Sequence, residues 1–219
     1  MEVTRERAGP EARLVGLAGA VAAALFIALF RFRRLGPLDF WAWLAANIVI
    51  VAALAFVLDR GYARRLAEDL RSDVFQKALI GIASAGALYA AFAVGRIVAL
   101  RVFPFAAAGI GGVYALKEGT SILRIGLLIG FVIGPGEELF WRGYFQERVG
   151  ATTKAGLGFV LTALLYTAVH LASGNVMLVA AAGVCGVFWG WLYLSFRSPV
   201  MNIISHTFWD LLVFIALPF

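Results

Sequence analysis

Charge and cysteine are what this chain has least of. Only 15% of its 219 residues are Asp, Glu, Lys or Arg, 62% are apolar, and the mean hydropathy is +0.89. A soluble domain is about 45–50% apolar, so water is not the main solvent of this chain. Cys185 is the single cysteine and lies in an apolar stretch. That excludes an internal disulfide and a cysteine-based metal cluster, and leaves it as a small packing residue. Histidine is almost as scarce, with two copies. There is no internal repeat, no low-complexity segment and no second domain. A membrane β-barrel is also excluded, because the long runs of Ala, Leu, Val and Ile lack the alternation in segments of about ten residues that such a barrel needs.

What the chain does have is long apolar runs. Several reach the ~17–25 residues that carry a helix across a ~30 Å hydrocarbon core, where a spanning backbone must satisfy its own hydrogen bonds. The expected fold is therefore an all-α, polytopic transmembrane bundle of about seven spans. Leu14 to Phe30 is the first run; Arg31, Arg33 and Arg34 follow it without a small-residue cleavage site, so it reads as a retained anchor rather than a signal peptide. Phe40 to Leu58 and Ala78 to Leu100 are the next two spans, the latter interrupted by Arg96 near its end, and the charged segment Asp59 to Lys77 between them reads as an interfacial helix or loop. Pro104 and the cluster Gly109, Gly111 and Gly112 predict a loop or re-entrant piece over Arg101 to Thr120. Ser121 to about Gln146 is the fourth span, kinked at Gly134, Pro135 and Gly136. Ala155 to Ala172, Val176 to Ser195 and Pro199 to Phe219 complete the count.

The formal charge of +6 and pI near 9.9 point to the membrane rather than to nucleic acid, since basic residues gather at the cytoplasmic face beside anionic lipid. With the N-terminus inside, the cytoplasmic segments (the N-terminal tail, the second connection, Arg142 to Lys154, and Arg197) hold 12 Lys and Arg against 6 on the other side, with Arg124 left within a span. The expected orientation is a cytoplasmic N-terminus. Richness in Ala, Gly and Arg hints at a high-GC bacterium, and so at the bacterial inner (cell) membrane.

An ionisable side chain at the centre of a bilayer costs about 2.5–3.5 kcal/mol, which makes each one a functional candidate. Glu137, Glu138, His170, His206 and Asp210 fall in the late spans, accompanied by Arg142. Residues four apart share a helix face, so Glu138 can pair with Arg142, Tyr166 lies above His170, and His206 lies above Asp210. Glu137 is turned about 100° from Glu138, which allows one glutamate to be structural and the other free. Polar side chains also join membrane helices for about 0.6–2 kcal/mol each. That bland reading suits a single histidine, or Tyr166 alone, better than it suits every histidine of the chain together with its only adjacent acidic pair in spans.

Glu137-Glu138-Leu139-Phe140-Trp141-Arg142 is an E-E-x-x-x-R motif, Tyr166 to His170 is similar to F-x-x-x-H with tyrosine for phenylalanine, and His206 to Asp210 is similar to H-x-x-x-N with aspartate for asparagine. In this order they resemble the CPBP family of intramembrane proteases, also called Abi or type II CAAX proteases. The resemblance covers roughly Ser121 to Phe219. It implies residues 121–219 as a catalytic transmembrane core and residues 1–120 as N-terminal transmembrane helices and amphipathic loops, within one integral membrane domain. It also implies peptide hydrolysis with Glu137 as general base together with His170 on a water, and with His206 and residue 210 stabilising the oxyanion. Glu138, Arg142 and Tyr166 would support these groups. An ionised Asp210 would repel an oxyanion, so it must be protonated or must orient His206 through its other ring nitrogen.

No cofactor is expected on this reading. The alternative is zinc held by Glu137, His170 and His206, since two histidines and a carboxylate form a credible ligand set, although the usual H-E-x-x-H helix is missing. An aspartyl mechanism lacks a second membrane aspartate, and a serine mechanism would need Ser173 or Ser205 without the G-x-S-G loop. A transporter would show paired broken helices or a half-repeat, whereas a non-catalytic immunity or scaffold protein would differ only in tolerating Glu137→Gln. The expected partners are the lipid bilayer and a membrane-anchored or lipidated protein substrate: a tail beside a lipidated cysteine, a bacteriocin leader, or a C-terminal sorting signal.

Overall fold

The structure, a computed structural model, describes residues 9–219, and among them every regular element is helical. In chain order these are α1 (Pro10–Phe32), α2 (Phe40–Leu58), α3 (Tyr62–Arg71), α4 (Val74–Val102), α5 (Ala106–Tyr114), α6 (Ile122–Thr152), α7 (Ala155–His170), α8 (Val176–Phe196) and α9 (Pro199–Ala216). Six of them, α1, α2, α4, α7, α8 and α9, are long and apolar enough to cross a membrane; the α5 segment, running to Lys117, and α6 meet at a 92° bend and form a broken span or re-entrant loop. This is the all-α polytopic bundle of about seven spans that hydropathy predicts. Its surface is inverted relative to a soluble protein: Phe131 is 78% exposed while Glu138 and Arg142 are wholly buried. Lipid rewards that arrangement, because polar groups must then find partners inside the bundle.

Polar capping residues set several helix starts. The Asp39 side chain accepts the Ala42 N–H at 2.9 Å, Asn175 accepts those of Met177 and Leu178 at 3.0 and 3.2 Å, and Ser198 accepts that of Met201 at 3.1 Å with Pro199 in the first helical turn. The segment from Asp59 to Lys77 resolves into the amphipathic helix α3. Glycines do not break α5, so of the loop or re-entrant piece expected over Arg101 to Thr120 the structure has a helix within a broken span or re-entrant loop. Pro104 stands between α4 and α5, where its missing N–H costs nothing, and Gly109 lets α5 close on α8, with its carbonyl accepting from Asn175 Nδ2 at 2.8 Å.

The bundle has two polar ends. At one, Asp59 binds Arg65 and, at 2.6 Å, Arg148, which also reaches Glu11 at 2.6 Å. There Asp69 holds α9 through Ser198 Oγ at 3.0 Å and the Val200 N–H at 2.9 Å. Burial pushes the Asp59 carboxyl up, but hydrogen bonds and charge from Arg65 and Arg148 outweigh it and hold the group below the ordinary carboxylate range. At the other end Arg124 pairs with Asp39 at 2.6 Å, Arg33 reaches the Ser173 carbonyl at 3.2 Å, and Lys117 reaches that of Phe214 at 3.0 Å. Arg5 and Arg7 of the N-terminal tail lie outside the described residues. Arg142, counted among the cytoplasmic charges from sequence, is instead fully buried in the bundle.

α6 positions the site. Pro135 cannot bond back to residue 131, and the helix widens into a π-helical turn over Ile129–Ile133 just before it; a second π-turn follows at Trp141–Gln146. The sequence-predicted kink is thus spread over two π-turns flanking Glu137 and Glu138. Gly143 lies in the second, where a Cβ would run into the Tyr62 hydroxyl and come within 3.3 Å of Pro199 Cγ. That hydroxyl is fixed, since it donates to the Leu139 carbonyl at 2.8 Å. Gly143→Ala is therefore expected to destabilise the bundle by about 1–3 kcal/mol, readable as a lowered thermal unfolding midpoint in detergent; an unchanged midpoint would mean that α3 yields freely.

Candidate active site

The two adjacent glutamates have different surroundings. Glu138, with no exposed surface, accepts three hydrogen bonds: from Arg142 Nη1 at 2.8 Å, His206 Nδ1 at 2.7 Å and Asn202 Nδ2 at 3.0 Å. Asn202 also donates to the Trp189 carbonyl at 2.8 Å. The Arg142 guanidinium lies over the rings of Tyr166, at 4.8 Å, and Trp189, at 5.7 Å, an aromatic setting that favours a desolvated cation. The predicted Glu138–Arg142 pair is thus the centre of a larger knot that ties α6 to α9 and α8.

Glu137 points elsewhere. It accepts the Tyr166 hydroxyl at 2.9 Å and lines a cavity of about 570 Å³ whose walls also carry His170, His206 and Asp210. His170 Nδ1 lies 2.7 Å from the Tyr166 carbonyl. A carbonyl only accepts, so Nδ1 carries the proton and Nε2 of the neutral ring is the lone-pair nitrogen. Tyr166 thereby links both groups, its hydroxyl on Glu137 and its carbonyl on His170, a larger part than its position in the sequence indicates. The His170 ring packs on Phe30 with centroids 4.4 Å apart. His206 stacks on Trp189 at 3.6 Å, and its Nε2 is 3.5 Å from Asp210 Oδ2. Glu138 thus occupies the ring nitrogen through which Asp210 was one candidate to orient His206.

The four residues expected to do chemistry, Glu137, His170, His206 and Asp210, therefore share one apolar cavity, and Glu138, Arg142 and Tyr166 stand behind them. Sequence reading missed Asn202, Trp189 and Ser84, and considered Ser205 only as a nucleophile. Asn202 had a signal, because it stands four residues before His206 on the same face; Trp189 had none. Ser205 is buried, accepts the Trp189 indole N–H at 3.1 Å and bonds Ser84 at 2.8 Å, which makes it packing rather than a nucleophile. Ser173 sits on the short 3₁₀ turn after α7. Among the described residues no three His, Cys, Asp or Glu side chains are arranged to hold a metal ion.

The family model described as type II CAAX prenyl endopeptidase, Rce1-like, matches residues 119–212. Over these residues the chain is similar to that family. The match covers less than half of the chain, runs from the bend before α6 to the last turn of the α-helical part of α9, and contains every motif residue named above. No curated protein and no solved structure matches the chain.

Within the matched residues, Tyr166 stands where the family pattern stated above has phenylalanine. Tyr166→Phe removes one hydrogen bond to a carboxylate, a contribution of about 1.5–3 kcal/mol, but keeps the ring that packs on Arg142 and His170. The expected result is a folded protein with substrate turnover lowered about tenfold or more, measured as kcat in lipid. Wild-type turnover would show that the hydroxyl is bystander packing.

Proposed function

We propose that the chain is an intramembrane endopeptidase that hydrolyses a peptide bond of a membrane-anchored or lipidated substrate with a water activated by Glu137 and His170. The observation that carries this reading is the division of labour between the two glutamates: Glu138 is saturated by Arg142, His206 and Asn202, whereas Glu137 faces the cavity with a single partner.

In the proposed reaction Glu137 accepts a proton from water, and His170 orients that water through the lone pair of Nε2. Water oxygen attacks the carbonyl carbon to give a tetrahedral oxyanion. His206 stabilises it by donating from Nε2, which needs a ring protonated on both nitrogens; the Glu138 carboxylate, 2.7 Å from Nδ1, complements that charge. The proton held by Glu137 passes to the leaving nitrogen, the C–N bond breaks, and the products are a carboxylate and an amine. Asp210, 3.5 Å from His206 Nε2, contributes a second donor in its neutral form. A water-excluding cavity strengthens each of these interactions.

The cavity supports a lipid-borne substrate. α4 packs on α9 and α8 on α7, so α4 and α8 flank the cavity from opposite sides with α5 touching both across one end. A segment in the bilayer would enter between α4 and α8. With the N-terminus cytoplasmic, the α3 end faces the cytoplasm of a bacterial cell and the α5 end the opposite leaflet, which favours leaders and C-terminal sorting signals over cytoplasmic tails.

The test is hydrolysis of a panel of membrane-anchored peptides by the lipid-reconstituted protein in ¹⁸O-labelled water, with and without a strong chelator. One ¹⁸O in the new carboxyl group and rates unaffected by chelator are expected. Loss of cleavage in chelator, restored by zinc, would instead support the zinc enzyme built on Glu137, His170 and His206.

A further inference from the structure

Arg96 is the one charged residue of the cavity wall that the proposed chemistry leaves without a task. It sits within the span α4, outside the matched family region, and lines the same cavity as Glu137, His170, His206 and Asp210. Its Nε is buried and bonds no described residue. Three cations at this end of the bundle are engaged: Arg124 on Asp39, Arg33 on the Ser173 carbonyl, and Lys117 on the Phe214 carbonyl and over the Tyr114 ring at 4.7 Å. An arginine near the end of a span commonly snorkels to the interface. Arg96 is half-buried and lines the chamber, as do Tyr114 and Phe103.

An arginine without a counter-charge in an apolar chamber is costly, and the cost is recovered when an anion arrives. The guanidinium fork fits a carboxylate in bidentate fashion. Position along α4 places this charge near the chemistry without being in it. Phe92 packs on Trp209 at 4.8 Å, next in sequence to Asp210, and Arg96 lies one helical turn further toward α5, a rise of about 6 Å. A short aliphatic segment bearing a carboxylate therefore suits the chamber: apolar walls for its side chains, the hydrolytic groups at one level and a cation a turn away.

Resting on the peptidase reading, we propose that Arg96 is a specificity-determining residue that pairs with a carboxylate of the substrate peptide. It acts on binding and not on bond cleavage.

The test uses the full chain in lipid nanodiscs and a palmitoylated, fluorophore-labelled peptide ending in aliphatic residues. The peptide is made as the free acid, as the C-terminal carboxamide, and as the carboxamide with one internal glutamate. Binding is read by fluorescence anisotropy and cleavage by product analysis. Wild type is expected to bind a carboxylate-bearing form at least tenfold more tightly than the plain carboxamide. Arg96→Gln is expected to lose that preference with KM raised and kcat little changed, and Arg96→Lys to keep part of it. Preference for the free acid identifies a C-terminal carboxylate; preference for the glutamate peptide alone identifies a side-chain carboxylate. Equal binding of all three forms by wild type, or an undiminished preference in a folded Arg96→Gln, overturns the proposal. Binding preference without cleavage of any peptide would sink the peptidase reading while leaving the anion site standing, and cleavage without preference would do the reverse.

Discussion

Glu138→Gln is expected to lower the stability of the bundle by about 3–5 kcal/mol, the cost of leaving a buried charge without its partner. Arg142 has no exposed surface, and among the described residues Glu138 is the only carboxylate that pairs with it. Its Nε and Nη2 already lack partners among the described residues, so the charge cannot be shared elsewhere in the knot. Glu138 also fixes His206 through Nδ1 and holds Asn202, so the change loosens the junction of α6 and α9 as well as the ring aimed at the cavity. A large fall in the unfolding midpoint accompanied by loss of turnover is the expected pair of results. A variant of wild-type stability would mean that Arg142 is held by the aromatic rings alone.

Glu137→Gln should do the opposite, removing activity without removing the fold. Gln is nearly isosteric and its carbonyl oxygen can still accept the Tyr166 hydroxyl, while Glu137 makes no ion pair among the described residues that the change would break. What is lost is the capacity to take a proton from water, a contribution of about 10²–10⁴-fold for a general base. Two neighbouring, chemically identical residues are thus expected to separate into a stability phenotype and an activity phenotype, which no uniform account of polar helix packing produces.

That separation was legible in outline from the sequence. Adjacent residues on a helix diverge by about 100°, and the four-residue spacing of Glu138 and Arg142 named the structural partner. The same rule put His206 above Asp210 but could not say which helix would meet the other ring nitrogen, because a contact between α6 and α9 is set by packing and leaves no mark in local spacing. Trp189, which stacks on His206, and Phe30, which packs on His170, are apolar residues in apolar spans, and nothing in the chain distinguishes them from their neighbours. α5 was obscured for a different reason: glycines that signal a loop in isolation serve here to bring a helix close to Asn175 and Met177. The spans themselves were easy to read, since hydrophobic length is imposed by the bilayer and does not depend on tertiary contacts.

The most direct measurement is single-turnover cleavage of a membrane-anchored peptide by lipid-reconstituted wild type and Glu137→Gln, with the unfolding midpoint of each recorded in the same preparation. The account predicts cleavage by wild type and a loss of at least about 10²-fold in the variant at an unchanged midpoint. Cleavage by Glu137→Gln at the wild-type rate would contradict it.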